Sequence, residues 1–167
     1  MSADRAPGTA PLSNDPAAAR PVLVLDTNVV LDWVAFDDAR MRPVAAAIER
    51  GTLRAATSAA CLLELRRALG YAQVKLDAAA QAFAFRRYVA HVALIEVPES
   101  AAMAGVPRCE DADDQKFLEL ARHARASHLL TRDKALLKLA RTAALSAGFD
   151  VLTPDAFLAG AGAILRG

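Results

Sequence analysis

The chain has 167 residues, 54% of them hydrophobic, which is enough for one globular domain with a sizeable core and too few for two. Its 20 Lys and Arg residues almost balance its 19 Asp and Glu residues, so the net charge of +1 excludes a chain-wide attraction to nucleic acid or to a membrane. Two cysteines exclude a disulfide framework, and the lack of an apolar signal or of a roughly 18–20-residue membrane span predicts a cytoplasmic protein without membrane contact.

The chain divides into a tail, a domain and a second short tail. Residues 1–20 are rich in Ala and Pro and have no hydrophobic period, which predicts a disordered N-terminal tail. From residue 21, short apolar runs alternate with longer Ala-rich segments of helical period, and the predicted domain ends at residue 160. Residues 161–167 are the predicted C-terminal tail.

This alternation predicts the elements of the domain in chain order. The predicted strands are 22–25, 53–58, 92–97, 128–131 and 149–153. The predicted helices are 41–51, 59–69, 77–90, 113–125 and 133–146, with a short helix after Pro154. Short apolar strands separated by helices favour a parallel sheet covered on both faces, so the predicted fold class is a three-layer α/β/α domain. Functional groups in such a domain gather at the carboxyl ends of the strands.

Acidic side chains occupy positions that solvation alone does not explain. Asp26 follows the first predicted strand and Asp133 follows the fourth, so both are expected at the carboxyl edge of the sheet. Glu64 lies among leucines in the apolar helix "CLLELRRAL". A buried carboxylate costs free energy unless something pairs with it, so each of these acids predicts a partner.

The segment "CEDADDQKFLELA" supplies a fourth acidic group. Asp111 and Asp114 are three residues apart and are expected to share one face of a helix, whereas Asp113 is expected to point elsewhere. Carboxylates that converge repel one another and raise their own pKa values unless a cation lies between them. Hard oxygen atoms of this kind suit Mg²⁺ or Mn²⁺, and four acids without a plausible catalytic His or Cys favour metal-assisted hydrolysis of a phosphodiester.

Each acid also has a purely structural interpretation. Asp26 and Asp133 are both placed to cap the helix that follows. Glu64 is placed to pair with one of the two arginines that follow it, Arg66 or Arg67. The acidic run at 111–114 is placed to complement a helix dipole. Capping and catalysis are compatible, so these alternatives stay open.

Taken together and in order, five segments of the chain resemble the PIN-domain family. They are "VLVLDTNVVL", "CLLELRRAL", "CEDADDQKFLELA", "HLLTRDKALL" and "VLTPDAFL". The likeness extends from about residue 21 to residue 159. It implies a PIN-like domain whose central parallel sheet has the strand order 3-2-1-4-5.

The resemblance also implies a set of site residues. The metal-binding and catalytic acids would be Asp26, Glu64, Asp114 and Asp133. Asn28 would orient the first acid or a water, Thr131 would contribute a hydroxyl, and Asp111 would be a supporting acid. Asp114 is preferred to Asp111 and Asp113 because it lies 19 residues before Asp133 and because some family members vary at the next position, here Gln115.

The same resemblance implies a Mg²⁺- or Mn²⁺-dependent endoribonuclease, often the toxin of a toxin–antitoxin pair. Its partners would be an RNA substrate, an antitoxin protein and a second copy in a homodimer. Two other functions stay open. One is a PIN-like domain that binds RNA or a protein without hydrolysis, and the other is an aspartyl-phosphate phosphotransfer enzyme. The latter typically has a second Asp two positions after the first, where this chain has Asn28.

Two further groups of residues admit more than one interpretation. Four arginines on the middle helices form either a basic wall for RNA phosphates or a solvated face paired with nearby acids: Arg66, Arg67, Arg86 and Arg87. Trp33 and Phe36 are placed to stack a base, but the packing of the first short helix, or a dimer contact, is favoured.

Overall fold

Five parallel strands form the central sheet of the computed structural model, which describes residues 20–98, 104–162 and 165. In chain order they are β1 (Val22–Leu25), β2 (Arg54–Thr57), β3 (Ala93–Leu94), β4 (His128–Leu130) and β5 (Asp150–Leu152). The order across the sheet is β3-β2-β1-β4-β5, which confirms the predicted order. Strand β1 is central, and its Leu23 lies opposite Ala55 of β2 and His128 of β4.

Helices cover both faces of the sheet. They are α1 (Thr27–Val34), α2 (Arg42–Glu49), α3 (Ala59–Leu69), α4 (Ala78–Val89), α5 (Gln115–His123), α6 (Lys134–Leu137), α7 (Ala140–Thr142) and α8 (Pro154–Gly160). A 3₁₀ turn, Ala72–Val74, connects α3 to α4, and a π-helical turn, Ala143–Ala147, follows α7. Over the described ranges of the chain, no helix has the length and apolar character needed to cross a bilayer.

Alternating side chains of β1 contribute to two separate cores. Leu23 and Leu25 pack with α1 to α4, whereas Val22 and Val24 pack with α5 and α6 on the opposite face. The predicted three-layer α/β/α fold class is therefore confirmed. The run of four buried β1 residues ends at Asp26, which is also buried.

Trp33 belongs to the first of these cores. Its side chain is 2% exposed, and its ring packs edge-on against Tyr88 with the centroids 5.7 Å apart. Its indole N–H donates a hydrogen bond of 3.2 Å to Glu49 Oε1. The predicted packing role of Trp33 is confirmed, while Phe36 beyond α1 is 51% exposed.

The predicted single helix over 133–146 is wrong, because the segment contains three helical pieces. After α6, the Leu139 N–H bonds to the Leu136 carbonyl, a tightened turn that ends the first piece. The helix is then wider over the π-helical turn, and it ends at Gly148, whose φ of 78° lies in the left-handed region. The Ser146 hydroxyl lies 2.7 Å from the Thr142 carbonyl oxygen and 2.6 Å from that of Gly105, which ties this turn to a neighbouring loop.

Two other predicted elements are shorter than expected. The strand predicted over 92–97 is paired only at Ala93–Leu94, although the Ile95 N–H still donates to the Thr57 carbonyl at 2.8 Å. The helix predicted from residue 113 begins at Gln115, since the chain before it forms turns. The acidic segment therefore precedes α5 instead of lying on it.

The predicted tails lie mostly outside the described residues. In the N-terminal tail, 1–20, Arg20 is described and donates a hydrogen bond of 2.8 Å to the Gly51 carbonyl. In the C-terminal tail, 161–167, Ala161 is buried in the first core and the Leu165 N–H bonds to its carbonyl at 3.1 Å.

Candidate active site

An acidic cleft of about 490 Å³ opens at the carboxyl edge of the sheet. All four predicted acids and Asn28 line it, delivered by the ends of β1 and β4, by α3 and by the turn before α5. The lining residues are Asp26, Thr27, Asn28, Ala60, Leu63, Glu64, Arg67, Tyr71, Asp113, Asp114, Lys116, Phe117 and Asp133. Because β1 and β4 are hydrogen-bonded neighbours, the acids that follow them meet at one edge.

Asp26 is the most buried of the four acids. Its side chain is 4% exposed, and its Oδ1 accepts a hydrogen bond of 2.9 Å from the Val29 N–H, so it caps α1. Its Oδ2 accepts a hydrogen bond from the Thr131 hydroxyl. Burial raises the pKa of Asp26, and the hydrogen bonds from Thr131 and Val29 only partly oppose that shift. The capping role is confirmed, and the other oxygen is held toward β4.

Thr131 connects Asp26 to Asp133. Its side chain is fully buried, and its oxygen accepts a hydrogen bond of 2.9 Å from the Asp133 N–H while its hydroxyl donates to Asp26. Asp133 Oδ1 accepts from the N–H groups of Ala135 at 2.7 Å and Leu136 at 3.2 Å, which confirms that it caps α6. The two strand ends are thus joined by one hydroxyl.

Glu64 points into the cleft from α3, and its partners are not those expected. Its Oε1 accepts a hydrogen bond of 2.6 Å from the Thr27 hydroxyl, and its Oε2 forms an ion pair with Lys116 Nζ. The alternative interpretation of Glu64 as a partner of Arg66 or Arg67 is therefore wrong. Lys116 lies in the first turn of α5, and its Nζ also contacts the Asp113 carbonyl oxygen.

Asp114 has a raised pKa, to which both burial and the other acids contribute. Partial burial raises its pKa to about 6, and the charges of Asp133, Asp111 and Asp26 act in the same direction while Lys116 opposes them. It stands at the residue before α5 and makes no capping hydrogen bond with its side chain. An uncapped carboxylate surrounded by like charges is the position in the cleft that most needs a cation.

The structure corrects the expected geometry of the acidic segment. Asp111 and Asp114 do not share a helix face, since both precede α5, and Asp111 does not line the cleft. Its Oδ1 instead accepts a hydrogen bond of 2.9 Å from the Asp113 N–H. Asp113, expected to point elsewhere, lines the cleft. The turn, rather than helical spacing, decides which of these acids faces the site.

Sequence reasoning gave no role to Leu63 and Tyr71 of the cleft, and it missed the two residues that contact Glu64, namely Thr27 and Lys116. Both Thr27 and Lys116 lie inside segments that carry the family resemblance, "DTN" and "DDQKF". The resemblance therefore indicates their place near the site, but it does not predict their contacts with Glu64. The supporting residue Asn28 is exposed and lines the cleft beside Asp26.

The donor set is chemically suited to a hard divalent cation. The acids facing the cleft offer carboxylate oxygens, and burial together with the neighbouring acids raises the pKa of Asp114 against the opposing charge of Lys116. Among the described residues, no three His, Cys, Asp or Glu side chains already stand close enough to hold a metal ion. The fit to such an ion therefore rests on the chemistry of the donor atoms.

Comparison with known proteins gives one match. A family model described as PIN domain matches residues 22–135, from the start of β1 into α6. The matched range contains all four predicted acids: Asp26, Glu64, Asp114 and Asp133. No curated protein and no solved structure matches the chain.

Proposed function

The chain belongs to the PIN-domain family, whose members are generally nucleases, and from this premise we propose that it is a divalent-metal-dependent endoribonuclease. Its reaction is the hydrolysis of RNA phosphodiester bonds. The observation that carries the proposal is the convergence of four acids from separate parts of the chain on one cleft: Asp26, Glu64, Asp114 and Asp133. Such a cluster repels RNA in the absence of a cation, which supports a metal-dependent reaction.

In the proposed site, the four acids hold Mg²⁺ or Mn²⁺. Bound there, the cation would supply positive charge beside the phosphate and would lower the pKa of the attacking water. Thr131 orients the Asp26 carboxylate by donating to it and holds the Asp133 backbone by accepting from its N–H. Thr27 orients Glu64, and Asn28 presents its amide to the water or phosphate from the exposed side of Asp26.

The test is cleavage of a pool of random-sequence single-stranded RNAs with Mn²⁺ and with EDTA. We expect Mn²⁺-dependent cleavage to products with 5′-phosphates and its loss in Asp26→Asn. This variant should fold, because the Asn Oδ1 can still accept the Val29 N–H that caps α1. The matched control is Asp155→Asn, an exposed acid on α8 outside the cleft.

Two results would contradict this proposal. Undiminished cleavage by Asp26→Asn would show that the assigned cleft is not the site. Absence of Mn²⁺-dependent cleavage by the natural chain would instead remove the hydrolytic function.

A second candidate is a domain that binds RNA or a protein without hydrolysis. The observation that favours it is the ammonium group of Lys116, which already neutralises Glu64 inside the cleft. A metal ion that binds the folded protein raises its unfolding temperature by mass action. Thermal unfolding with increasing Mn²⁺ therefore distinguishes the nuclease from the non-hydrolytic domain. No shift up to millimolar Mn²⁺ would favour the non-hydrolytic domain.

We also propose a biological setting for the nuclease, as a cytoplasmic toxin of a toxin–antitoxin pair that forms a homodimer. The cytoplasmic setting is supported by Cys61 and Cys109, which are both buried, unpaired thiols. A neighbouring reading frame for a small antitoxin-like protein tests the toxin role, and light scattering of the purified chain tests the dimer. A monomer at micromolar concentration would contradict the dimer alone.

A further inference from the structure

One face of α3 continues past the acidic residues of the cleft. Residues three or four apart on this helix face the cleft together, and the line runs on beyond the helix to the first residue after Gly70. Its members are Ala60, Leu63, Glu64, Arg67 and Tyr71. The same face therefore presents an acid, a guanidinium, an aliphatic side chain and an aromatic ring.

Tyr71 offers an open aromatic ring on a fixed backbone. Its side chain is 51% exposed, while its N–H donates to the Ala68 carbonyl at 3.1 Å and its carbonyl accepts from the Val74 N–H at 2.9 Å. Leu63, on the same face, is 52% exposed. Isolated exposed apolar side chains are ordinary, but these two line one cleft beside catalytic-type carboxylates.

Arg67 differs from the arginines around it. Arg66 lies over the Phe85 ring at 4.6 Å from the centroid, and Arg87 is paired with Glu49 at 2.8 Å. Arg67 points into the cleft and, within the described part of the chain, pairs with no acid. Its guanidinium is thus available for an anion from outside the protein.

We infer that Tyr71 and Leu63 form a nucleobase-binding subsite next to the acids, with Arg67 on the phosphate of the same nucleotide. The inference rests on the proposed RNA function and names how the strand is held. An aromatic face stacks any base, and an arginine beside it contacts the backbone, which is how proteins bind single strands. Glu64 and Arg67 are three residues apart, about 4.5 Å along the axis of α3, so a nucleotide held by Arg67 lies next to the acids.

An RNA strand is favoured over a protein partner because of where the acids stand. Tyr71 and Arg67 share the cleft with Asp26 and Asp133 rather than lying on a separate surface. A ligand that places a phosphate among the acids therefore lies in the same cleft as this pair. A protein partner needs neither a phosphate group nor a planar base here.

The test measures binding of two labelled 12-nucleotide RNAs by fluorescence anisotropy in Mn²⁺. One RNA has a random sequence, and the other has the same sugar–phosphate backbone with its central four bases removed. All proteins carry Asp26→Asn, which prevents cleavage under the proposed function. We expect the intact RNA to bind about 5-fold or more tightly than the abasic RNA, from stacking of one base.

Three variants locate the effect. Tyr71→Ala should reduce the preference for intact RNA to about one, whereas Tyr71→Phe should keep it because the ring is retained. Phe83→Ala is the matched control, since Phe83 is 63% exposed on α4 and does not line the cleft. Unchanged unfolding temperatures in the three variants confirm that they fold.

Several outcomes overturn the subsite. These are equal binding of intact and abasic RNA, a full preference in Tyr71→Ala, or an equal loss in Phe83→Ala. If the natural chain cleaves RNA and any of these results is found, the subsite is contradicted and the proposed nuclease function is not. If the natural chain does not cleave RNA but the preference for intact RNA is found, the proposed hydrolysis is contradicted and the subsite is supported.

Discussion

Lys116 forms an ion pair with Glu64 in the centre of the acidic cleft. The ammonium group reaches the carboxylate from the first turn of α5, across the gap to α3, and also contacts the Asp113 carbonyl. A side chain thus supplies part of the positive charge that the clustered acids need. A divalent cation that uses Glu64 must compete with it.

Replacing Lys116 by Gln should therefore strengthen Mn²⁺ binding. The variant frees Glu64 and removes a repelling positive charge, so we expect half-maximal thermal stabilisation at about tenfold lower Mn²⁺ concentration. Without metal, the same variant should unfold at a slightly lower temperature, because the carboxylates lose their counter-charge. Lys116→Arg should behave like the natural chain.

The matched control for this prediction is Lys138→Gln, which removes an exposed lysine near Glu110 outside the cleft. It should leave the Mn²⁺ dependence unchanged. An equal Mn²⁺ requirement in Lys116→Gln and the natural chain would show that Lys116 does not compete for the carboxylates.

Removing the Thr131 hydroxyl should loosen two acids at once. In Thr131→Val, Asp26 loses a hydrogen bond and the Asp133 N–H loses its acceptor. Stranding these polar groups costs about 1–3 kcal/mol, which lowers the unfolding temperature by about 2–10 °C for a chain of this length. Mn²⁺ affinity should fall about 10- to 100-fold.

Thr131→Ser keeps the hydroxyl and should retain most of the stability and metal affinity. Calorimetry with and without Mn²⁺ measures both quantities. If Thr131→Val and Thr131→Ser have equal effects, loss of the hydroxyl does not explain the effect of the Val variant.

The metal-free protein should lose stability through Asp114 as the pH rises from about 4 to 6. Its pKa is raised from 3.8 to about 6, so the folded state holds a proton there that the unfolded state has released. The penalty is absent below pH 3.8 and complete above pH 6. Asp114→Asn removes it and should unfold about 2–4 °C higher at pH 7.5, for about 1 kcal/mol after allowance for solvent screening.

The difference between the two proteins at each pH isolates this effect. Burial lowers the pKa of His128, which gives the opposite slope in the natural chain and in the variant alike. Unfolding in EDTA at pH 4.5 and 7.5 should show a clearly larger gap at the higher pH, because only part of the penalty has developed at pH 4.5. A gap of the same size at both values would assign it to something other than the Asp114 charge.

Local patterns were enough to predict five strands near their observed positions, although only β1 has the predicted bounds. The apolar run before Asp26 lies where periodicity placed it, β4 ends one residue before the predicted end at Thr131, and parallel pairing brings the ends of the two strands together. The strand order, by contrast, was expected from family resemblance, because it depends on crossovers that no local pattern encodes.

Hydrogen bonds between residues that are distant in the sequence could not be predicted from local patterns. Thr131 reaches Asp26 across 105 positions and Thr27 reaches Glu64 across 37, distances set by how strands and helices pack. The prediction for the acidic segment is wrong for another reason. Helical spacing predicts a shared face for Asp111 and Asp114, but residues 111–114 form turns before α5, so Asp113 and not Asp111 lines the cleft.

Arg67 and Arg66 give a matched pair for the RNA contact, since they are adjacent on α3 but face different surroundings. Arg67 lines the cleft, while Arg66 stacks on Phe85. Arg67→Gln should weaken binding of single-stranded RNA and reduce the slope of log affinity against log salt by about 0.7, the value for one phosphate contact. Arg66→Gln should leave the slope unchanged. Anisotropy titrations between 50 and 200 mM salt, in the Asp26→Asn background, measure both, and equal slopes in the two variants would place the phosphate contact elsewhere.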